Sequence, residues 1–313
     1  MQHISVMRDR CVDLLAPSIL ATENPVVVDA TLGLGGHTEA MLQRFENLTV
    51  IGIDRDTDAI AKAEARLAIF GNRFKSAHSV FDEFSEVIES FGISQVNGVL
   101  FDLGVSSMQL DEGTRGFSYS HDAPLDMRMD QSRGITASEI INSYEPGELV
   151  RILRVYGEEK FATRIVENIV KERAKAPMNS TIQLAALVKE SIPAATRRTG
   201  GNPSKRTFQA LRIAVNDELG AIERAIPQAL DRIIIGGRVV VMSFQSLEDK
   251  IVKEKFAEAS TSKSPRELPI ELPEYAAKFK LVFNSSEKPS EAEIAENSRA
   301  ASTRLRAIER VAA

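Results

Sequence analysis

A glycine-rich segment near the N-terminus carries the clearest chemical signal in this chain. The β-branched run Val26–Val28 ends at Asp29, and a helix-like stretch covers residues 38–45. Three glycines lie between them, at Gly33, Gly35 and Gly36. Glycines let a backbone approach a ligand closely, and the first N–H groups of a helix have no partner within the helix. This strand, turn and helix start therefore predict a site for a cofactor that contains a nucleoside.

The spacing around this turn separates the candidate cofactors. A second apolar run ends at Asp54, about twenty residues beyond the first glycine, where an acidic residue meets ribose hydroxyls. The dinucleotide fingerprint fails because Thr38 stands where its third glycine belongs, and no Walker-type Gly-Lys-Ser or Gly-Lys-Thr occurs. The pattern Asp-x-Thr-x-Gly-x-Gly-Gly favours S-adenosylmethionine, which carries no phosphate. A glycine-rich turn that binds no ligand is the alternative at this point.

The composition limits the class of protein. With 313 residues, of which 43% are hydrophobic and 27% charged, the chain fits one large globular domain or a core with an insertion. A single cysteine, Cys11, excludes a disulfide framework and a Cys-based zinc site, and no metal site is assigned. Residues 1–15 lack an apolar signal core, and no stretch reaches the length of a transmembrane helix. These features predict a cytoplasmic protein without a membrane partner.

One segment is basic although the whole chain is acidic, with a formal net charge of −5. Residues 191–216 contain no Asp or Glu, and their basic residues are Arg197, Arg198, Lys205, Arg206 and Arg212. Phosphate neutralisation supplies much of the affinity of proteins for nucleic acid, so any such contact must be local here. The segment is therefore a candidate RNA contact, and a solvated basic loop that binds nothing is the alternative.

Alternating strand and helix patterns in the first third of the chain predict a parallel sheet. Strand-like runs cover residues 26–29, 48–54, 74–78 and 98–102, and helical patterns cover residues 38–45, 57–69 and 84–91. Such units form parallel sheets with right-handed crossovers, and ligands bind outside the carboxyl ends of the strands. Three of the runs end in an acid, at Asp29, Asp54 and Asp102. We expect these carboxylates at one edge of the sheet.

The remaining chain indicates helices inserted into this sheet. After an irregular stretch, helical periodicity covers residues 148–156, 160–174 and 181–191. One or two helices over residues 211–235, a turn at Gly236–Gly237 and strands over residues 238–244, 279–284 and 303–310 follow. We therefore expect a discontinuous core of residues 1–112 and 206–313, with residues 113–205 as a loop and an inserted helical domain.

Several linked motifs are similar to those of one family. They are Thr31–His37, Asp102–Asp111, Arg115–Ser118, Pro124–Asp130, Tyr156–Glu159, Arg206–Ile213 and Ser243–Asp249. The chain resembles, nearly from end to end, the bacterial small-subunit ribosomal RNA cytosine-N(4) methyltransferases of the RsmH (MraW) family. This implies an α/β fold, a Rossmann-like class I S-adenosylmethionine-dependent methyltransferase sheet with an inserted helical domain that recognises RNA. It also implies methylation of the exocyclic N(4) amine of a specific cytidine in the decoding region of 16S ribosomal RNA.

The resemblance also assigns candidate site residues. By their positions in the motifs, the residues expected to contact S-adenosylmethionine are Gly35, Gly36, His37, Asp54, Phe81, Asp102 and Gln109. Among these, Asp54 would hold the ribose hydroxyls and Phe81 would lie near the adenine. Asp102 is also the candidate catalytic proton acceptor, with a nearby backbone carbonyl as the alternative. The RNA-binding candidates are Arg197, Arg198, Lys205 and Arg206.

One departure from the family and two rival functions bear on this interpretation. Gln245 stands where the family usually carries His, so an obligatory proton transfer at that position is not expected. The rivals are a methyltransferase that acts on a protein or small molecule and a ribosome-assembly factor without catalysis. Because the chain is acidic, we expect its RNA substrate to be part of the assembled small ribosomal subunit. The oligomeric state stays open, a homodimer included.

Overall fold

The computed structural model describes residues 5–106, 109, 113–194, 202–265 and 275–313. The chain divides into two compact units, the first formed by Met1–Gly104 and Leu219–Ala313, the second by Val105–Glu218. Both boundaries differ from the expected ones at 112/113 and 205/206. The helix at Lys205–Asn216, expected in the core, buries its apolar face in the second unit, because Phe208 packs into the apolar cluster of that unit.

The first unit contains a seven-stranded sheet. Its strands are β1 (Val26–Asp29), β2 (Thr49–Asp54), β3 (Phe74–His78), β4 (Val96–Asp102), β5 (Ile233–Ser243), β6 (Phe279–Leu281) and β7 (Arg304–Arg310). The order is β3-β2-β1-β4-β5-β7-β6, with β1 to β5 parallel and β7 antiparallel to both of its neighbours. The parallel sheet that the sequence predicts is confirmed.

Helices flank the strands and form most of the second unit. In chain order they are α1 (Arg8–Leu20), α2 (Gly36–Arg44), α3 (Thr57–Leu67), α4 (Phe84–Ser90), α5 (Ala137–Ser143), α6 (Pro146–Gly157), α7 (Ala162–Arg173), α8 (Thr181–Ser191), α9 (Lys205–Asn216), α10 (Glu218–Arg232), α11 (Ser246–Ala259) and α12 (Glu291–Glu296). Within the described ranges, no helix has both the length and the apolar character that crossing a membrane requires.

Both faces of the sheet are covered by apolar side chains. Successive residues of a strand point to opposite faces, so Val27 and Val28 enter two different buried clusters, as do Val99 and Leu100. One cluster includes Phe101 and residues of α10, and the other includes residues of α1 and α2. Coverage on both faces explains why these strands are continuous apolar runs without alternation of polar residues.

The segment after α10 differs from the sequence prediction. The one or two helices predicted over residues 211–235 are two helices, but the segment ends in a strand, because α10 ends at Arg232 and Ile233 already pairs with Val96 of β4. The predicted turn at Gly236–Gly237 lies inside β5, where the register to β4 shifts. Gly236 has φ +81°, a conformation that favours glycine and fits a local irregularity within a strand.

In the second unit, a buried asparagine holds a strained loop residue. Met127 has φ +64° although it is not glycine, and its side chain is fully buried. Asn216, at the end of α9, donates its Nδ2–H to the Met127 carbonyl at 2.8 Å and accepts the Met129 N–H at 2.8 Å. The Met127 N–H donates to the Arg115 carbonyl at 3.1 Å. These bonds compensate for a backbone conformation that costs about 1–3 kcal/mol.

Gly116 and Gly134 allow a test of how tightly this loop is packed. Both have positive φ, +78° and +82°, but a Cβ at Gly116 would lie 2.3 Å from the Pro124 carbonyl oxygen, while Gly134 has open space around it. We expect Gly134→Ala to lower the free energy of unfolding by about 1 kcal/mol and Gly116→Ala by at least about 2 kcal/mol more, measured by urea unfolding. Equal losses would show that the contact at Gly116 relaxes without cost.

Candidate functional site

Three carboxylates lie at the carboxyl ends of adjacent strands in the first unit. Asp54 ends β2, Asp29 ends β1 and Asp102 ends β4, and these strands are neighbours in the order β2-β1-β4. The sequence-based expectation that the three acids share one edge is confirmed. The turn that contains the glycines begins directly after Asp29, so this edge is also where that turn lies.

Asp29 connects β1 to the start of α2. Its Oδ2 accepts the Thr38 hydroxyl at 2.7 Å, and its Oδ1 accepts the Thr31 N–H at 3.4 Å. Burial raises the pKa of Asp29 to about 6, although both hydrogen bonds favour the ionised form. Thr38, which occupies the position of the missing third glycine, therefore joins the helix to the strand through its hydroxyl.

Asp54 holds the glycine turn from the neighbouring strand. Its Oδ2 accepts the Gly33 N–H at 2.7 Å and its Oδ1 accepts the Asp56 N–H at 2.9 Å, while burial raises its pKa. Gly35 precedes α2 with φ +74°, and a Cβ there would lie 2.9 Å from a methyl group of Leu67. The turn thus needs a glycine at this position both for its backbone angle and for space.

Asp102 carries an oxygen that the described part of the chain leaves without a hydrogen bond. Its Oδ1 is buried and has no partner among the described residues, while its backbone N–H donates to the Thr31 hydroxyl at 2.6 Å. Burial, followed by the negative charges of Asp29 and Glu248, raises the pKa of Asp102 to about 8. A buried acceptor without a donor is costly in a folded protein and points to a ligand group that supplies the donor.

His37 lies beside Asp102 and is neutral at pH 7. It is buried as the second residue of α2, with its Nδ1 3.8 Å from Asp102 Oδ2. Its Nε2 lies 3.2 Å from the Val6 carbonyl oxygen. Because a carbonyl oxygen can only accept a hydrogen bond, the ring hydrogen is on Nε2 and Nδ1 is unprotonated. Burial lowers the pKa of His37 to about 4. The two side chains therefore do not form an ion pair at neutral pH.

The other predicted cofactor residues have different surroundings. Phe81 is half-buried after β3, and its ring packs edge-to-face on Phe101 with 5.8 Å between centroids. Gly36 is the first residue of α2. Gln109 belongs to the second unit, where its Oε1 accepts the Ser106 N–H at 3.2 Å. Contacts of these residues with a cofactor stay predictions.

The predicted RNA-binding residues fall into two groups. Arg197 and Arg198 lie outside the described residues. Lys205 and Arg206 are exposed at the start of α9 in the second unit, and Arg206 donates to the Glu158 carbonyl at 3.0 Å. In the ranges that the structure covers, no group of three or more His, Cys, Asp or Glu residues is placed to hold a metal ion.

A buried carboxylate that the sequence analysis did not identify lies after β5. Glu248 accepts the Phe244 N–H at 2.8 Å, the Gln245 N–H at 3.2 Å and the Gln245 Nε2–H at 2.8 Å. Gln245 is the N-cap of α11 and forms a capping box with Glu248. The amide at this position thus has a helix-capping role. The three-residue spacing between Gln245 and Glu248 is the signal that could have identified the pair.

The raised pKa of Asp102 predicts a pH-dependent cost to stability. Because the folded protein holds this proton more tightly than the unfolded chain, its contribution is fully present below about pH 4 and is lost as pH rises towards 8. The Asp102→Asn variant has no carboxyl group at this position, so it does not lose stability in this way as the pH rises. We expect the stability of the variant relative to the parent to increase by about 4 kcal/mol between pH 5 and pH 8.5, measured by urea unfolding. A difference that does not change with pH would contradict the assignment.

Comparisons with known proteins agree on one family. Residues 1–311 match the MraW methylase family. The ribosomal RNA small subunit methyltransferase H of Renibacterium salmoninarum is 57% identical, covering 99% of this chain and 95% of the relative. That of Streptomyces avermitilis is 53% identical, covering 99% and 97%. The solved structure of an rRNA methylase from Streptococcus thermophilus is only 12% identical with a TM-score of 0.42, covering 97% and 93%. The family resemblance inferred from the motifs is confirmed, and the chain belongs to the MraW methylase family.

Proposed function

We propose that this chain uses S-adenosylmethionine to methylate the exocyclic N(4) amine of a specific cytidine in 16S ribosomal RNA. Membership of the MraW methylase family and the names of two relatives at 53% and 57% identity, both ribosomal RNA small subunit methyltransferases H, support the RNA substrate. The observation that carries the chemistry is the buried Oδ1 of Asp102 at the end of β4, next to the glycine turn, which receives no hydrogen bond from the described residues. A cytoplasmic location is part of this proposal.

The residues at the strand ends suit a cofactor with a positive charge and a ribose. The carboxylates of Asp29, Asp54 and Asp102 make this edge acidic, which favours a sulfonium cation. The residues proposed to hold the cofactor are Gly35, Gly36, His37, Asp54, Phe81, Asp102 and Gln109. When bound, S-adenosylmethionine supplies an electrophilic methyl group, and S-adenosylhomocysteine is the leaving group.

Asp102 is the proposed proton acceptor. The N(4) amine of cytosine is a weak nucleophile because its lone pair is delocalised into the ring, so the enzyme must orient the amine and remove a proton. The Oδ1 of Asp102 receives no donor from the described residues, which leaves it able to accept an amine N–H. A base with a pKa near 8 has a strong affinity for the proton, and its ionised fraction, which is small at neutral pH, grows as the pH approaches 8.

Methyl transfer to small ribosomal subunits tests the proposed function. Subunits from cells that lack this activity are incubated with the protein and radiolabelled S-adenosylmethionine. We expect the label in N(4)-methylated cytidine of the 16S RNA. Protein-free short RNA serves as the comparison, and equal activity on it would contradict the proposal that the substrate is the assembled subunit. Label in a ribosomal protein, or no label although calorimetry shows cofactor binding, would overturn the RNA substrate.

Asp102→Asn separates proton transfer from cofactor binding. Because an amide cannot take up the proton, we expect kcat to fall by at least about 100-fold, while the Kd for S-adenosylmethionine stays within about threefold. The parent rate should rise between pH 6 and pH 8 as the carboxyl ionises, and the residual rate of the variant should lack this rise. Loss of cofactor affinity with an unchanged kcat would show that Asp102 only binds the cofactor.

A further inference from the structure

The two units carry different shares of the charge. Residues 105–218 contain sixteen Lys and Arg against fifteen Asp and Glu, whereas the rest of the chain has twenty-three against twenty-nine. The net negative charge of the protein therefore comes from the first unit. Binding to RNA phosphates depends on cations that are free to displace counterions, so a phosphate contact is more favourable on the second unit.

Exposed cations cluster in the second unit where the end of α6, the start of α7 and the start of α9 meet. We name this cluster the basic junction; its residues are Arg151, Arg154, Lys160, Arg164, Lys205 and Arg206. Arg154 donates to the Thr163 hydroxyl at 2.8 Å, which joins α6 to α7. Arg206 donates to the Glu158 carbonyl at 3.0 Å, which joins α9 to the end of α6. These contacts bring together the ends of the three helices on or between which the six cations lie.

The cations of the basic junction are not neutralised as other arginines of the chain are. Elsewhere in the second unit, Arg128 pairs with Asp126 at 2.7 Å and Arg212 with Glu218 at 2.8 Å. At the junction, by contrast, Arg154 and Arg206 donate to uncharged oxygens.

The lysines and the remaining arginines of the junction also have no close ion pair with a carboxylate of the described residues. Over the ranges that the structure describes, no carboxylate forms an ion pair with Lys160, Arg164 or Lys205, and the nearest contact of Arg151 with Glu148 is 3.9 Å. The acids close by are Glu148, Glu158, Glu159 and Glu167, of which Glu159 is buried and accepts the Phe161 N–H. The surface therefore keeps an excess of positive charge.

An aromatic side chain lies within this surface. The guanidinium of Arg151 lies 5.8 Å from the ring centroid of the half-buried Tyr156. The Tyr156 carbonyl accepts a hydrogen bond from Gln209 of α9 at 3.2 Å, which fixes its backbone at the junction. Aromatic rings and arginine planes next to cations are features with which proteins bind single-stranded RNA, since bases stack on them while phosphates contact the charges.

We propose that the basic junction binds phosphates of the RNA substrate. This inference rests on the proposed function, because it takes the partner to be RNA of the small ribosomal subunit. Apart from Arg151, which lies 3.9 Å from Glu148, these cations need not break ion pairs with the described residues to bind phosphate, so the release of counterions contributes directly to affinity. The junction extends the predicted contacts at Lys205 and Arg206 to α6 and α7, and it does not include Arg197 or Arg198.

A double charge reversal tests the junction without disturbing the fold. Lys160→Glu with Lys205→Glu changes two exposed side chains that form no ion pair with a described residue. The control, Lys171→Glu with Lys189→Glu, makes the same change of charge on exposed residues of α7 and α8 outside the junction. The measurement is the Kd for small ribosomal subunits and for protein-free 16S RNA, by filter binding over a series of salt concentrations, with urea unfolding of each variant.

We expect the junction variant to bind small ribosomal subunits and protein-free 16S RNA at least about tenfold more weakly than the parent does. The slope of log Kd against log salt concentration should be smaller by about 1–2. The control should stay within about twofold of the parent, as should the S-adenosylmethionine Kd of both variants. Equal losses in the control would overturn the proposal. A loss on subunits but not on protein-free RNA would also overturn it, because the surface would then bind a ribosomal protein.

Binding and methyl transfer are measured separately, so the two proposals fail in different ways. If the parent binds RNA through the junction but transfers no methyl group, the proposed reaction is wrong and the junction stands. If the parent methylates subunits and the junction variant binds and methylates them equally well, the junction is wrong and the reaction stands.

Discussion

Hydrogen bonds from three neighbouring strands hold the turn after β1, and the geometry of the candidate site depends on them. Asp54 of β2 accepts the Gly33 N–H, Asp29 of β1 accepts the Thr38 hydroxyl, and the Asp102 N–H of β4 donates to Thr31. A turn rich in glycine is flexible in isolation, since glycine has the largest conformational freedom of any residue. Bonds from three rigid strands remove that freedom before any ligand arrives, which lowers the entropic cost of binding.

The same arrangement concentrates negative charge, and the protein limits its cost through protonation. Burial desolvates these carboxylates and neighbouring acids repel them, so the pKa of Asp29 rises to about 6 and that of Asp102 to about 8. Asp29 recovers part of the cost through hydrogen bonds, whereas the Oδ1 of Asp102 receives none from the described residues. Asp102 is thus the acid of the three whose carboxyl group most lacks hydrogen-bond donors, and a cation or an amine is most favourable next to it.

The sequence predicted the parts of the fold that local pattern determines. Runs such as Val26–Val28 are apolar, β-branched and bounded by an acid, so strands and their ends followed directly. The start of β5 did not, because Ile233 follows an amphipathic helix without a breaking residue, and only its pairing with Val96 decides the conformation. The unit boundary at α9 was misplaced for a related reason. An amphipathic helix shows which face is buried but not which core buries it.

Site residues divide in the same way between local and distant contacts. Asp29, Asp54 and Asp102 were predictable because strand ends share an edge. The capping-box spacing could have identified Glu248, but its effect on Asp102 was not predictable, since it acts across 146 positions of sequence. Gln245 shows why residue type alone misleads. The position suggests a role in proton transfer, because the family usually carries His there. In this chain the Gln245 amide instead caps α11 together with Glu248, a conformational role that an uncharged side chain fulfils. Acidic residues that hold a cationic cofactor repel RNA phosphates, so the RNA must be bound by cations elsewhere in the chain. If such cations supply the affinity, a net charge of −5 does not argue against an RNA substrate.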